Sequence, residues 1–318
     1  TASWIISRHT DWGGSLVGYF RQRLTDDKLS ADERTAIEQQ LVRFARDTAV
    51  QQLVADIAQA ASGANPIRLS MLRVMAQSGL KETPPAWTIE LVRSLSDGDA
   101  AIVTHAVAAA RVLPAPKDNA GGSGSTPSGS RPLPVDLAAK LLDVGRKADA
   151  PAGLRLDALA SVPGGLTEVD PALLGFLREH LHPDQQVSVR SASADVLAKA
   201  RLATPQLVEL SESLGTAGPL EVDRLLAAFE KSKEATVGQA LVAGLKQSTA
   251  RSALRIETLK PKLAKFGAPL EKPTAELFAL IEADNAQQRS RLDELLAHVK
   301  DGDIRRGQLV FNSTKTAC

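Results

Sequence analysis

The chain predicts an all-α fold, a helical-repeat solenoid, and three observations carry that expectation. Apolar residues recur at three- and four-residue spacing through most of the 318 residues, and Gly, Pro and Ser break the stripes at short intervals. No stretch alternates apolar and polar residues as a half-buried strand would. Similar two-helix units also return at nearly constant distance: Arg155 to Arg190 is thirty-five residues, and Pro66 to the helix opening at Ala100 is thirty-four. Units of that size cannot bury their apolar faces alone, so stacking supplies the core. A globular helical bundle is the alternative. The recurrence, and an aromatic content of only 3%, favour the stacked array.

Taken in order, Ser30-Ala31-Asp32-Glu33 forms a capping box that opens a helix, with Ile37, Leu41 and Phe44 as its buried stripe. Pro66-Ile67-Arg68 leads a helix whose apolar positions include Leu72 and Met75. Trp87, Leu91 and Leu95 mark the next helix, Asp97 to Asp99 turns the chain, and Ile102, Ala106, Ala109 and Leu113 mark its partner. Short turns of this kind favour antiparallel neighbours. Gly153-Leu154-Arg155 with Leu156 and Leu159, and Val187-Ser188-Val189-Arg190 with Ala194 and Leu197, repeat the pattern of Pro66-Ile67-Arg68. This pattern resembles the second helix of HEAT repeats, in which an arginine often follows an apolar residue near the helix start.

Between residues 114 and 134 the periodicity stops. PAPKDNAGGSGSTPSGSRPLP is dominated by Gly, Ser and Pro, cannot offset its ordering entropy by burial, and is expected to be a mobile surface loop. Its Gly122-Ser123-Gly124 lacks the preceding strand and following Lys-Ser of a phosphate-binding loop.

Chemistry-bearing motifs are sparse in the body. His9, His105, His180, His182 and His298 form no H-E-x-x-H and stand at no metal-ligand spacing from a cysteine. His180 and His182, just before Pro183, are expected at a helix end, interacting with its open carbonyls. His105 reads as structural. No G-x-S-x-G elbow occurs, and Asp97-Gly98-Asp99 and Asp301-Gly302-Asp303 lack the later oxygen ligands of a calcium loop. No catalytic site is therefore expected in these residues. With 38 basic against 37 acidic residues the net charge is +1, which together with few aromatics argues against a nucleic-acid partner and against a helical-repeat enzyme acting on nucleic acid. No apolar run reaches the length of a membrane span. The single cysteine, Cys318, excludes an intrachain disulfide framework.

Cys318 closes GDIRRGQLVFNSTKTAC, in which Gly307, Val310 and Phe311 share one face of a helix. One reading is an ordinary terminal helix with a free thiol. The other is the start of a haem domain, where Cys318 is the first residue of a C-x-x-C-H motif. The chain opens on Thr1 within an apolar run (Trp4, Ile5, Ile6), without the form of a signal peptide, so both ends are expected to be cut.

Leu277 to Cys318 resembles the junction between helical repeats and a c-type cytochrome domain in large multidomain haem-binding, membrane-bound-dehydrogenase-like proteins of planctomycetes and verrucomicrobia. The resemblance extends upstream through Leu207 to Leu245, notably Ala217-Gly218-Pro219-Leu220 and Leu225 to Phe229, and more weakly to the Trp4 region. It implies a HEAT-like solenoid over residues 1–300 and the truncated first helix of a cytochrome c domain over 301–318. It also implies that Cys318 is a haem-linking cysteine in the intact parent, which would carry haem c, transfer electrons to a redox partner domain or protein, and couple to a dehydrogenase-like domain. Neither the second cysteine nor the axial ligands have counterparts here, so this fragment is not expected to hold haem itself. The resemblance further implies export to the periplasm or cell envelope. A non-redox protein-interaction scaffold is the alternative function.

Overall fold

The structure, a computed structural model, describes residues 12–26, 28–61, 66–115, 134–299 and 302–313. Among these residues there are sixteen α-helices and no β-strand. They group into two compact units. One comprises the described residues up to Leu177 together with Val187–Arg201, and the other comprises Arg178–Gln186 with the described residues from Leu202 onward. Most of the expected loop, residues 116–133, and the Trp4 region lie outside the described residues.

The first unit contains α1 (Gly13–Leu24), α2 (Ala31–Arg43), α3 (Thr48–Ala60), α4 (Pro66–Gln77), α5 (Pro85–Leu95), α6 (Ala100–Val112), α7 (Pro134–Arg146), α8 (Ala152–Ala160), most of α9 (Pro171–Glu179) and α10 (Val187–Lys199). Packing follows parity. Helices α1, α3, α5 and α7 contact one another in succession, as do α2, α4, α6, α8 and α10, while α3 with α4, α5 with α6, and α7 with α8 bridge the two rows. This repeat-like arrangement of two helical layers is what apolar stripes on successive antiparallel helices produce, because each stripe faces the gap between rows.

Local chemistry places the ends. The box expected at Ser30 is formed: Glu33 N–H donates to Ser30 Oγ at 3.3 Å, and the Ser30 N–H donates to Glu33 Oε2 at 3.1 Å. Asp47 caps α3 through Ala49 and Val50 and also accepts from the Gly14 N–H at 2.9 Å, so one carboxylate ties α1 to α3. Leu72, Met75, Trp87, Leu91, Ile102, Ala106 and Ala109 are all buried, as their spacing predicts. Trp87 is fully enclosed and gives its indole N–H to the Gln51 carbonyl at 2.8 Å, which fastens α5 to α3 without leaving a buried donor unpaired. Gly165 has φ +78°, and a β-carbon there would stand 2.5 Å from the Lys199 carbonyl oxygen, so only glycine lets the strap after α8 pass α10.

The second unit contains α11 (Thr204–Ser213), α12 (Pro219–Leu225) prolonged by a 3₁₀ turn over Leu226–Phe229, α13 (Ala235–Gln247), α14 (Ile256–Ala264), α15 (Glu271–Ala297) and α16 (Ile304–Phe311). Alternate helices again stack, α11 on α13 and α13 on α15. The α11–α13 approach depends on Gly244, where a β-carbon would lie 2.2 Å from the Ser211 carbonyl oxygen.

Side-chain links between successive pairs of helices share a sequence separation near one repeat. In the first unit Arg21 reaches Asp56, Arg73 reaches Glu38, and Arg93 reaches the Gln59 carbonyl, at separations of 35, 35 and 34 residues. In the second, Arg178 reaches Ser213, Arg251 reaches Asp284, and Lys265 reaches the Phe229 carbonyl, at 35, 33 and 36. Other links span 29 to 32 residues, as Arg68–Asp97, Lys246–Glu276 and Lys262–Glu230 do, and Arg111–Asp157 spans 46, so the contacts cluster near one two-helix unit without a fixed period.

Gly244→Ala tests the α11–α13 approach. Helix propensity alone would stabilise by about 1 kcal/mol. Forcing the helices apart is instead expected to destabilise the protein by about 1–3 kcal/mol, measured by urea unfolding.

Candidate functional site

The residues singled out in the sequence do not converge. Cys318 lies outside the described residues. The helix ahead of it forms as α16, capped by Asp303, whose Oδ1 accepts from the Arg305 and Arg306 N–H groups at 2.8 and 3.2 Å. It therefore starts two residues after Gly302, and Val310 and Phe311 are 53% and 78% exposed. His105 bonds the Ala101 carbonyl within its own helix through Nδ1 at 2.8 Å, a structural role as expected. His180 and His182 do follow the end of α9 at Glu179, as expected, but the His182 ring meets Asp184 Oδ2 at 3.0 Å in place of a helix-end carbonyl. Among the described residues no group of three or more His, Cys, Asp and Glu side chains could hold a metal ion.

The most developed constellation of functional groups is a buried ion cluster centred on Arg68, in the first unit. The sequence marks Arg68 only as a repeat-pattern arginine. Pro66 starts α4, which places the guanidinium one turn in and directs it at α5 and the turn after it. There Arg68 Nη1 donates to Asp97 Oδ2 at 2.6 Å, Nη2 donates to Ser94 Oγ at 3.1 Å, and Nη2 stands 3.3 Å from Glu90 Oε1. Ser94 Oγ in turn donates a hydrogen bond to Glu90 Oε1 at 2.9 Å, and Arg93 approaches the other Glu90 oxygen at 3.5 Å. Arg68 and Glu90 are 2% and 3% exposed and Ser94 is fully buried, so this charge is desolvated almost completely. Two cations, Arg68 and Arg93, face two anions, Glu90 and Asp97. The cluster is neutral, which is the condition under which buried charge is tolerated.

A second pair lies beside it. Arg73 forks onto Glu38 through Nε at 3.1 Å and Nη2 at 2.7 Å, and also donates to the buried Ser70 at 3.0 Å. Burial pushes the Glu38 carboxyl upward, but the hydrogen bonds from Arg73 and Ser70 and the charges of Arg73 and Arg34 outweigh it and hold Glu38 below its ordinary value. Arg73 is raised in return, chiefly by its bond to Glu38. Asp97 is lowered first by the Asp99 N–H and then by Arg68. Further along, Arg251 holds Asp284 below its usual range. None of these carboxylates is poised as a general base, because each spends its lone pairs on a cation or an N–H group.

The other repeat-pattern arginine of this unit with described contacts has a different task. Arg155 donates to the Gly145 carbonyl at 3.0 Å and lies 3.7 Å over the Phe176 ring, so the same sequence position supports packing here and a buried ion pair at Arg68.

Open clefts add little chemistry. A cavity of about 100 Å³ in the first unit is lined by apolar residues such as Leu91, Leu113 and Leu137 together with Thr83, Arg111 and Ser161. In the second unit a groove of about 330 Å³ collects Arg178, His182, Glu212 and Ser213. There Ser213 Oγ accepts from Arg178 Nε at 3.1 Å while His182 is occupied with Asp184, so the serine and imidazole are not engaged as nucleophile and base.

Comparison with protein-family models, curated proteins and solved structures finds no match to this chain.

Arg68→Ala is expected to destabilise the protein by about 3–5 kcal/mol, because it strands Glu90 without its buried partner. Adding Glu90→Leu should recover part of that loss, so the double-mutant cycle by urea unfolding is expected to be non-additive. The lowered carboxylates set a pH dependence of definite sign. Between the folded and the ordinary pKa values the unfolded chain binds more protons. Their stabilisation is complete above about pH 5 and erodes as pH falls through about 4 and below. Thermal melts from pH 7 to pH 3 should show this decline, and Glu38→Gln should flatten part of it.

Proposed function

We propose that this chain is a helical-repeat scaffold, HEAT-like in its two-helix units, and that in the intact protein it carries the opening of a c-type cytochrome domain. The observation that supports the scaffold reading is the recurrence of side-chain links between successive elements at about 30–36 residues in both units. Charged side chains are spent on keeping successive helices in register, which is the work of a spacer. Stacked repeats present extended surfaces whose geometry is set by nearest-neighbour contacts, a means of holding two partners at a fixed separation.

The cytochrome part rests on the sequence resemblance over Leu277–Cys318, and the capped, outward-facing α16 is compatible with it. On this reading Cys318 forms one of the two thioether bonds to haem, the haem supplies one-electron transfer when bound, and the protein works in the periplasm or cell envelope with a redox partner. The repeats position that centre and take no part in electron chemistry themselves. A non-redox interaction scaffold is the second reading, since the regular links favour it equally.

One experiment separates the two. The protein is produced together with the residues encoded after Cys318, in cells equipped for c-type haem attachment, and its mass is measured after denaturation. Retained haem is expected, with Cys318→Ala losing one thioether bond and red-shifting the reduced pyridine haemochrome band. A protein without covalent haem, or one indifferent to Cys318→Ala, overturns the cytochrome part and leaves the non-redox scaffold.

A further inference from the structure

Beyond Ile281, its last buried residue, α15 forms one wall of an open groove of about 570 Å³ in the second unit. Asn285, Gln288, Arg289 and Leu292 line that wall at i, i+3, i+4 and i+7, and the segment Ser252–Arg255 lines the other. A clamp fixes the two walls beside the groove: Arg251 Nε donates to Asp284 Oδ2 at 2.7 Å, and Nη2 donates to Oδ1 at 3.1 Å. Four residues further along each wall stand Arg255 and Gln288, and no carboxylate lines the groove.

Every polar side chain of the lining is idle. Ser252, Arg255, Asn285, Gln288 and Arg289 make no side-chain hydrogen bond or ion pair with another described residue. Other cations of this unit are neutralised, Arg178 by Glu209 and Glu212 and Arg251 by Asp284. The carboxylates nearest in sequence to the two idle arginines, Glu257 and Asp293, lie outside the lining and pair with neither. A guanidinium fork matches a carboxylate, as the Arg251–Asp284 clamp shows on the same two walls. The amides of Asn285 and Gln288 both donate and accept, which suits the N–H and C=O groups of an extended backbone. Leu292, 54% exposed, offers contact to an apolar side chain. We infer that this groove is a docking site for an acidic peptide segment of a partner protein, whose carboxylates pair with Arg255 and Arg289 on either side of an apolar residue. The inference uses no residue beyond Leu292 and so stands apart from the cytochrome reading. It gives the scaffold reading a class of partner, and its failure would leave the inter-helix links that support that reading untouched.

The links are solvated, so a Kd on the order of 100 µM is expected at low salt. The probe is fluorescein-labelled Ser-Glu-Glu-Leu-Glu-Glu-Ser, titrated with the 318-residue chain and followed by fluorescence anisotropy. Binding should weaken as salt rises and disappear when Gln replaces every Glu of the probe. Arg255→Glu and Arg289→Glu should each weaken it by roughly fivefold or more. Lys260→Glu, the same charge change at an exposed residue outside the groove, should alter it by less than about twofold. The chain carrying both arginine reversals should in turn bind the probe with Lys in place of Glu. All three substituted residues are exposed, so unchanged far-ultraviolet circular dichroism and melting temperature verify that the variants fold. Absence of binding overturns the inference, as does binding indifferent to both arginines or equally sensitive to Lys260→Glu. Displacement of the probe by inorganic phosphate at matched ionic strength also overturns it, by marking a general anion site.

Discussion

The buried pairing of Arg68 with Glu90 constrains the first unit more than any apolar contact does. Leucines and alanines between helical layers can exchange neighbours at modest cost, since dispersion and area burial have no direction. A guanidinium that is 2% exposed has no such freedom. It must meet Glu90, Ser94 and Asp97 together, and those three span the last turns of α5 and the turn before α6. Only one register of α4 against α5 and α6 satisfies it. The pair adds little net stability over an apolar replacement, but an out-of-register packing would carry the full cost of unpaired buried charge.

The same logic runs through both units with less burial. Arg73 on Glu38 and Arg251 on Asp284 each join helices about one repeat apart, and each carboxylate is held below its ordinary pKa by that contact or by the hydrogen bonds beside it. Glycines complement the charges by distance. Gly165 and Gly244 let a strap and a helix come against carbonyl oxygens where a β-carbon has no room. Apolar stripes thus supply cohesion, while ions and glycines select the arrangement. The distal part of α15 keeps an exposed apolar stripe beyond its last buried residue, Ile281.

Much of this was legible in the sequence, and the legible part is local. The Ser30–Glu33 box, the Trp87–Leu91–Leu95 and Ile102–Ala106–Ala109 stripes and the Asp97–Asp99 turn all depend on residues within one or two helical turns, and all form as their spacing predicts. The candidate site was less legible. Arg68, Arg155 and Arg190 share one pattern, yet Arg68 enters a desolvated ion cluster and Arg155 stacks on Phe176, because the difference lies in what the neighbouring repeat presents. His182 shows the same limit at shorter range, since its partner depends on the path of the chain at Pro183.

The sequence by itself determined the helical class, the Ser30–Glu33 cap and the recurrence of similar helix pairs, because hydrogen bonding and apolar spacing within a helix are decided by near neighbours. Only the tertiary structure decided which of many charged residues are buried, which glycines sit against carbonyls, and where one helix outruns its core. Those properties belong to pairs of residues roughly thirty positions apart, and desolvation, which decides their energies, exists only once the layers have closed over them.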